Sequence, residues 1–517
     1  MKRLFDAVDI GPLGVELIVR RSRLEMPQMK IDLVQVNSAA AWPIVVDLDG
    51  TLTATDTLVE SVIQFIKQSP LNLLRLPFWL LKGRAAFKDA VCSRAAISAD
   101  RLPYREALLV YLRSEKSKGR HIILATAAHK SIAQGVSDHL ALFDDVLATD
   151  MGRNLKGSVK LEAIQEKLGT DFVYAGDSRS DIPIWNAAQA AILVGASAGL
   201  AKSVRDRNPV EQEFSKEPIG FSTWMKALRV HQWLKNLLLF VPLLTAFSFM
   251  DIGKLATIAL AFLSFSSAAS ATYMFNDLWD LESDRAHPRK KDRPFASARI
   301  PILTGLVVAG CLLMLAFALA LVVSQAFFLM LLLYVILTSS YSWMFKEYVL
   351  IDVIMLSLLY TLRILAGSVA AAIPTSEWLL AFSVFMFLSL ALVKRCSELI
   401  SLEQIGNIAA RGRDYRVADL AVLSPLGVAS AMSAVVVFGL FINSPDTQSR
   451  YATPGLLWLV AIGLIYWLAR LWIKTSRGEM HDDPVIYAIK DRGSRSTVIV
   501  MAVTMLIAHF LALDGML

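Results

Sequence analysis

Two patterns of apolar and polar positions divide the chain. Between residues 42 and 200, helical periodicity alternates with the short apolar runs Pro43–Leu48, His121–Ala125, Phe172–Ala175 and Ala191–Val194. Each run ends at a Thr, Gly or Asp. Runs this short and continuously apolar suit strands buried on both faces of a parallel sheet, and ligands of such sheets gather at the strands' C-terminal ends. From Leu234 onward, nine long apolar stretches take over, at 234–250, 255–275, 301–323, 326–345, 349–372, 378–393, 420–442, 454–473 and 497–513. A helix crossing a bilayer needs roughly 20 apolar residues; most of the nine reach that length, the first and sixth falling short. The charged stretch 201–232, with Pro209 and Pro218, predicts a linker and a membrane-surface helix.

At 517 residues, the chain exceeds the roughly 250–300 that one core accommodates. Apolar residues make up 55% of it and the mean hydropathy is +0.51, above the usual soluble range of about 45–50%. The expected organisation is an extension over 1–40, an α/β Rossmann-like domain over 41–205 with a helical cap at about 55–115, the linker 206–232, and an all-α polytopic membrane domain of about nine helices over 233–517. The extension lacks the clean apolar core of a signal peptide. Cys92, Cys311 and Cys396 are too scattered for a disulfide framework or a metal motif. Within the cap, Pro70–Lys82 is apolar but too short to span; a buried cap helix is the expectation, with an interfacial segment dipping into lipid as the alternative.

The net charge of +7 matters by location. Basic residues crowd the connections after the second, sixth and eighth apolar stretches, while the intervening loops hold little beyond Lys254 and Arg450. By the positive-inside bias, the basic loops, the N-terminal domain and both sites described below are expected in the cytoplasm, with the C-terminus outside, in a multi-pass protein of the bacterial inner membrane. Topology accounts for many of these cations, so nucleic acid is not implied, and no obligate protein partner is expected.

The run Ile44–Val46 leads into Asp47-Leu48-Asp49-Gly50-Thr51-Leu52. Residues i and i+2 of a strand share a side, so Asp47 and Asp49 converge at its end. One carboxylate there can accept a phosphoryl group as an aspartyl phosphate while its neighbour exchanges protons, and Mg2+, which prefers oxygen ligands, would neutralise the phosphate. Downstream, in order, come Thr126, able to hydrogen-bond phosphate, and Lys160, able to supply a positive charge, with Lys156 as a rival. Then Gly176-Asp177-Ser178-Arg179-Ser180-Asp181 adds two carboxylates for the metal. DLDGTL, a strand-ending Thr, a Lys and GDSxxD in this order make residues 42–200 resemble the haloacid dehalogenase (HAD) superfamily. The resemblance implies Asp47 as nucleophile, Asp49 as acid/base, Thr126 and Lys160 on the phosphate, and Mg2+ held with Asp47, Asp49, Asp177 and Asp181.

The second constellation closes the second apolar stretch: Asn276-Asp277-Leu278-Trp279-Asp280-Leu281-Glu282-Ser283-Asp284. On a continuing helix Asp277, Asp280 and Asp284 share one face. Carboxylates at a membrane boundary are costly unless paired or holding a cation, and Mg2+ carrying a diphosphate fits. Arg289, Lys290 and Arg293 follow and can grip phosphate oxygens. The combination NDxxDxxxDxxHPxKxxRP resembles the UbiA superfamily over residues 225–517, which implies a metal site at Asn276, Asp277, Asp280 and Asp284. The superfamily's second aspartate-rich motif is replaced here by Lys394-Arg395-Cys396-Ser397-Glu398-Leu399 and Arg411-Gly412-Arg413-Asp414-Tyr415. Together with HQWLKN at 231–236, Tyr341-Ser342, Lys346, Asp352 and HDDP at 481–484, this is similar to the polyprenyl-phosphate phosphoribosyltransferase branch. That branch transfers from phosphoribosyl diphosphate to polyprenyl phosphate, which makes Lys235, Lys394, Arg395 and Arg411 candidate phosphate ligands and assigns the apolar spans to the isoprenoid.

The resulting expectation is a bifunctional membrane enzyme: Mg2+-dependent phosphoribosyl transfer to polyprenyl phosphate, followed by removal of the 5-phosphate by the HAD-type half. Its substrates would be an isoprenoid lipid and a diphosphate donor. The alternatives are a conventional prenyltransferase joining a prenyl diphosphate to an aromatic or quinone precursor, and a regulatory membrane protein whose phosphatase-like domain senses a ligand.

Overall fold

The computed structural model of the chain describes residues 42–95, 97–150, 153–216, 218–406, 413–480 and 484–512. The extension 1–40 and Arg411 lie outside them. A six-stranded, all-parallel sheet comes first: β1 (Ile44–Val46), β2 (Ile122–His129), β3 (Asp145–Thr149), β4 (Val173–Gly176), β5 (Ala190–Val194) and β6 (Val210–Phe214), in the order β3-β2-β1-β4-β5-β6. Ile44 and Val46 sit in one apolar core and Val45 in another across the sheet, so both faces are covered. The two strands the apolar runs did not foretell, β3 and β6, are the sheet's edges. Edge strands are half exposed, so DVLAT and VEQEF carry polar positions and no continuous apolar run. β6 falls in the stretch expected to be linker.

The cap between β1 and β2 contains α1 (Thr57–Gln68), α2 (Leu76–Leu81) and α3 (Arg84–Cys92). The Asp56 carboxylate accepts from the Leu58 and Val59 amides and starts α1. A small core of Phe65, Val91 and Ala95, with Trp79 against it, holds these helices together. The expected burial of 70–82 is not observed: α2 has no buried residue, and Leu71, Leu74, Phe78 and Leu81 are each more than 60% exposed. The alternative reading, an apolar interfacial segment, is the one this surface suits.

In the C-terminal part, eight helices among the described residues are long and apolar enough to cross a membrane: α4 (Ile252–Trp279), α6 (Ile302–Val323), α7 (Gln325–Trp343), α8 (Ile351–Ala370), α9 (Glu377–Gln404), α10 (Leu420–Ile442), α11 (Leu457–Ser476) and α12 (Arg492–Phe510), with the short α5 (Leu281–Ala286) after α4. The first of the nine stretches takes another form, a 3-10 helix over Val230–Phe240 followed by one α turn and a half, Val241–Thr245. At about 2.0 Å per 3-10 residue and 1.5 Å per α residue it covers about 30 Å, the depth of a bilayer's hydrocarbon core. Arg229 meets Asp277 at one end, and Phe247 stacks on His509 at the other, centroids 3.6 Å apart. The segment therefore runs the height of the bundle although it is too short as an α-helix. Trp233 Nε1 donates to Ser270 Oγ (2.9 Å) and Asn236 Nδ2 to Ser266 Oγ (3.1 Å), tying it to α4. Gly367 of α8 admits its backbone: a Cβ there would lie 2.2 Å from the Leu239 carbonyl oxygen.

Val59 and Ile63 of the cap pack into a core with Met274, Leu278, Leu281 and Phe295 of the membrane part. The phosphatase-like domain is thus seated on the end of the bundle that carries the Asp277 motif.

Candidate functional sites

The first site forms where the strand order turns, beyond β1 and β4, the position at which doubly wound sheets bind ligands. Asp47 is buried, and its Oδ1 accepts from the Leu48 amide at 2.8 Å. Gly50 adopts φ +79°, and a Cβ on it would lie 2.2 Å from Asp177 Oδ2, so the DLDGTL turn can close over Asp177 only without a side chain. Asp181 Oδ2 accepts from Ser178 N and Oγ at 3.1 and 2.9 Å. Carboxylate oxygens of Asp47, Asp177 and Asp181 lie within 4.8 Å of one another. Three converging oxygen donors fit a hard dication such as Mg2+, and these residues are the ones that would hold it.

Lys160 Nζ stands 2.8 Å from Asp47 Oδ2 and donates to the Tyr174 hydroxyl (2.9 Å), which donates to Asp181 Oδ1 (3.0 Å). Burial pushes Asp49 and Asp177 up to about 7 and raises Asp47 as well, although the Lys160 ammonium opposes the shift at Asp47. Asp49 accepts from the Thr57 amide at 2.9 Å, linking the acid/base candidate to the first turn of the cap. A cavity of about 380 Å³ brings Asp47, Asp49, Lys156, Lys160 and Asp177 together. Thr126 is not on its wall: β2 continues past it, and its buried hydroxyl accepts from the Ala128 amide (3.0 Å). The cap contributes two cations the motifs did not announce, Arg84 and Lys88, the latter donating to the Ala127 carbonyl (2.7 Å).

The second site is a cavity of about 300 Å³ at the end of α4. Asp277 and Asp280 reach it, opposed by Arg229, Lys235, Lys290, Arg293, Lys346, Arg363 and Arg413. Arg293 Nη1 bridges Asp277 (3.1 Å) and Asp284 (2.6 Å), and Arg229 also pairs with Asp277. The helix does not continue as expected. It breaks at Asp280 between α4 and α5, so the three carboxylates do not converge; among the described residues only the Asp47 group does. Asn276 lines the cavity and donates to Ser342 Oγ at 3.0 Å.

A UbiA prenyltransferase family model matches residues 237–490, and a haloacid dehalogenase-like hydrolase model matches residues 44–185. A protein of Sinorhizobium fredii, named only as uncharacterized, is 37% identical over 485 residues, 92% of each chain. The decaprenyl-phosphate phosphoribosyltransferase of Mycolicibacterium smegmatis is 32% identical over 236 residues, 44% of this chain and 73% of that one. The chain belongs to the UbiA prenyltransferase family. Residues 44–185 form a HAD-like hydrolase domain. A solved UbiA homolog from Archaeoglobus fulgidus, bound to GPP and Mg2+, is 18% identical with a TM-score of 0.42, over 55% of this chain and 98% of that one.

Within this UbiA-family membrane domain, the expected phosphate ligands separate. Lys235, Lys290 and Arg293 line the cavity; Arg289 and Lys394 do not. Arg395 is a correction: it is 1% exposed, and its guanidinium pairs with Asp352 and Glu398 and lies 5.2 Å over the Tyr415 ring. It does not line the cavity, and its charge is met by those two carboxylates. Arg363 and Arg229 were not foreseen. Arg363 donates to Asn236 Oδ1 (3.0 Å) and the Tyr334 hydroxyl (2.9 Å). Its signal was present, since an arginine inside an apolar spanning helix marks a functional site by default.

Proposed function

We propose that the chain is a bifunctional membrane enzyme that transfers a phosphoribosyl group from phosphoribosyl diphosphate to polyprenyl phosphate and then removes the 5-phosphate. The observation that carries the reading is the charge of the membrane-boundary cavity, where seven Lys and Arg side chains face Asp277 and Asp280. Such a surplus suits two substrates that both bring phosphate, more than it suits one prenyl diphosphate and a neutral acceptor. The likeness to a decaprenyl-phosphate phosphoribosyltransferase supports it.

In the transfer, an oxygen of the lipid phosphate attacks C1 of the ribose while the C1–O bond to diphosphate breaks and the diphosphate leaves with the electron pair. Lys235, Lys290 and Arg293 of the cavity lining stabilise that charge as fixed cations. The acceptor is already anionic, so no general base is required. In the hydrolase half, Asp47 attacks the 5-phosphorus and the P–O5 bond breaks. Asp49 protonates O5, then takes a proton from the water that cleaves the aspartyl phosphate. Its burial-raised carboxyl suits both roles near neutral pH. Lys160 orients Asp47 and offsets phosphate charge. Asp47, Asp177 and Asp181 would hold Mg2+ in the hydrolase domain, and Asp277 and Asp280 are the carboxylates that the membrane-boundary cavity offers to it; the ion would supply charge neutralisation for phosphate oxygens. Basic loops and the hydrolase domain share one end of the bundle, which supports a cytoplasmic placement at the bacterial inner membrane.

The test uses purified full-length protein with Mg2+, polyprenyl phosphate and labelled phosphoribosyl diphosphate. Label should move to lipid, fail to move with Asp277→Ala, and remain as a 5-phosphorylated lipid with Asp47→Asn. Label transfer only from a prenyl diphosphate to an aromatic acid would instead make the membrane half a conventional prenyltransferase.

A further inference from the structure

A cavity of about 660 Å³ belongs to neither site. It is a groove between the cap and the membrane helices, with Leu58 and Val62 of α1 on one wall and Leu306 and Leu313 of α6 on the other. Its volume is within the range of pockets that enclose whole ligands, about 300–1,000 Å³, and its lining is almost wholly apolar.

The groove adjoins both charged cavities and shares wall residues with each. Leu58 also lines the phosphatase cavity, and Asn276, Trp279 and Trp343 also line the transferase cavity. Trp279 and Trp343 stack with centroids 5.6 Å apart, forming an aromatic sill where groove and transferase cavity meet. Leu313 lies about 16 Å along α6 from Ile302, at 1.5 Å per residue, so the groove reaches down among the spanning helices. At its other edge Pro70 and Leu73 join the exposed apolar face of the cap, where a lipid surface would be.

An apolar groove of this depth, flanked by two phosphate-handling cavities that share its walls, matches one kind of ligand: a long hydrocarbon with a phosphorylated head. We infer that the groove holds the isoprenoid chain of the lipid phosphate while its head group passes from the transferase cavity to the phosphatase cavity. This rests on the function proposed above. The tail stays bound and only the head moves, so the lipid is not released into the bilayer between the two reactions. The gain is one of effective concentration.

The test is on the full chain in nanodiscs of phosphatidylethanolamine and phosphatidylglycerol. A polyprenyl monophosphate carrying a diazirine in its chain should crosslink to peptides from both α1 and α6. Excess polyprenyl phosphate should suppress that labelling about tenfold, and excess phosphatidylglycerol should leave it unchanged. Labels spread evenly over the lipid-facing helices, or displaced equally by phosphatidylglycerol, would overturn the inference and make the groove an ordinary bilayer contact. This arm stands whether or not ribosyl transfer is the reaction. If wild type does transfer label, Val62→Trp and Leu306→Trp should accumulate the 5-phosphorylated lipid about tenfold over wild type, with hydrolysis of a soluble phosphoester reporting an intact phosphatase. Dephosphorylation of the lipid at the wild-type rate in both variants would also overturn it. No transfer by wild type would remove the proposed function and leave the crosslinking to decide the groove alone.

Discussion

Arg285, eight residues after Asp277, grips Glu60 of the cap with both arms, Nη1 to Oε2 at 2.8 Å and Nη2 to Oε1 at 2.7 Å, and each side chain is less than 10% exposed. The hydrolase cap is thus tied by a buried, bidentate ion pair to the segment that carries the transferase carboxylates. Removing one partner of such a pair strands the other charge, at a cost of about 3–5 kcal/mol. Glu60→Ala or Arg285→Ala should speed amide exchange throughout α1, measured by hydrogen–deuterium exchange, while the sheet stays protected. The double variant should be less damaged than the sum of the two. Unchanged protection in α1 would mean that the apolar contacts of Val59 and Ile63 hold the cap alone.

Magnesium binding by the hydrolase half should depend on pH with a definite sign. Burial holds Asp49 and Asp177 up to about 7, against an ordinary 3.8, so the folded domain binds protons that the unfolded chain releases. Its metal-free stability should therefore fall as pH rises from about 4 through 7. Mg2+ needs the ionised carboxylates and competes with those protons. At a fixed Mg2+ concentration, the rise in Tm should be larger at pH 8 than at pH 5.5. An equal rise at both would contradict the burial of these groups.

Gly50→Ala should abolish the proposed phosphatase activity without altering Asp47. The new Cβ would meet Asp177 at 2.2 Å, at a backbone angle that side chains rarely adopt. The strain is about 1–3 kcal/mol, and displacement of a metal-site carboxylate costs about 10–100-fold in metal affinity or rate. Isothermal titration with Mg2+, beside phosphatase assays, should show both losses. Wild-type affinity would mean that the turn relaxes more easily than its contacts indicate.

Two basic residues that look alike in sequence should fail differently. Lys235 lines the transferase cavity, so Lys235→Ala should fold normally and lose about 10–100-fold in ribosyl transfer, the equivalent of about 1.5–3 kcal/mol for a charged hydrogen bond. Arg395→Ala would strand Asp352, which is fully buried, and should reduce the yield and thermal stability of the whole membrane domain. Detergent-phase melting curves separate the two. A stable but inactive Arg395→Ala protein would return Arg395 to the ligand-binding set.

The parts of this molecule legible in its sequence are those in which one residue's neighbours along the chain determine its role. Ile44–Val46 had to be a central strand because nothing polar interrupts it, and Asp47 and Asp49 were legible from their place at its end, in the turn that leaves it. Roles set by contacts across the fold were harder to read. Arg395 looked like a phosphate ligand because its partner Asp352 stands 43 positions upstream, on another helix. The edge strands escaped because their exposed positions break the apolar run. Asp277 and Asp284 were expected on one continuous helix face; a break at Asp280 and the side chain of Arg293 organise them instead. The first membrane stretch looked too short only because its length was counted in α-helical residues.

That 3-10 winding also sets a ruler. Three residues of a 3-10 helix and four of an α-helix advance by the same distance, about 6 Å. Trp233 and Asn236, three apart, therefore fall level with Ser270 and Ser266, four apart on α4 and running the opposite way. The two elements mesh like racks of different tooth count cut to a common pitch. Deleting a single residue between Trp233 and Asn236 would put the next rung out of phase and swing Lys235 away from the cavity it now faces.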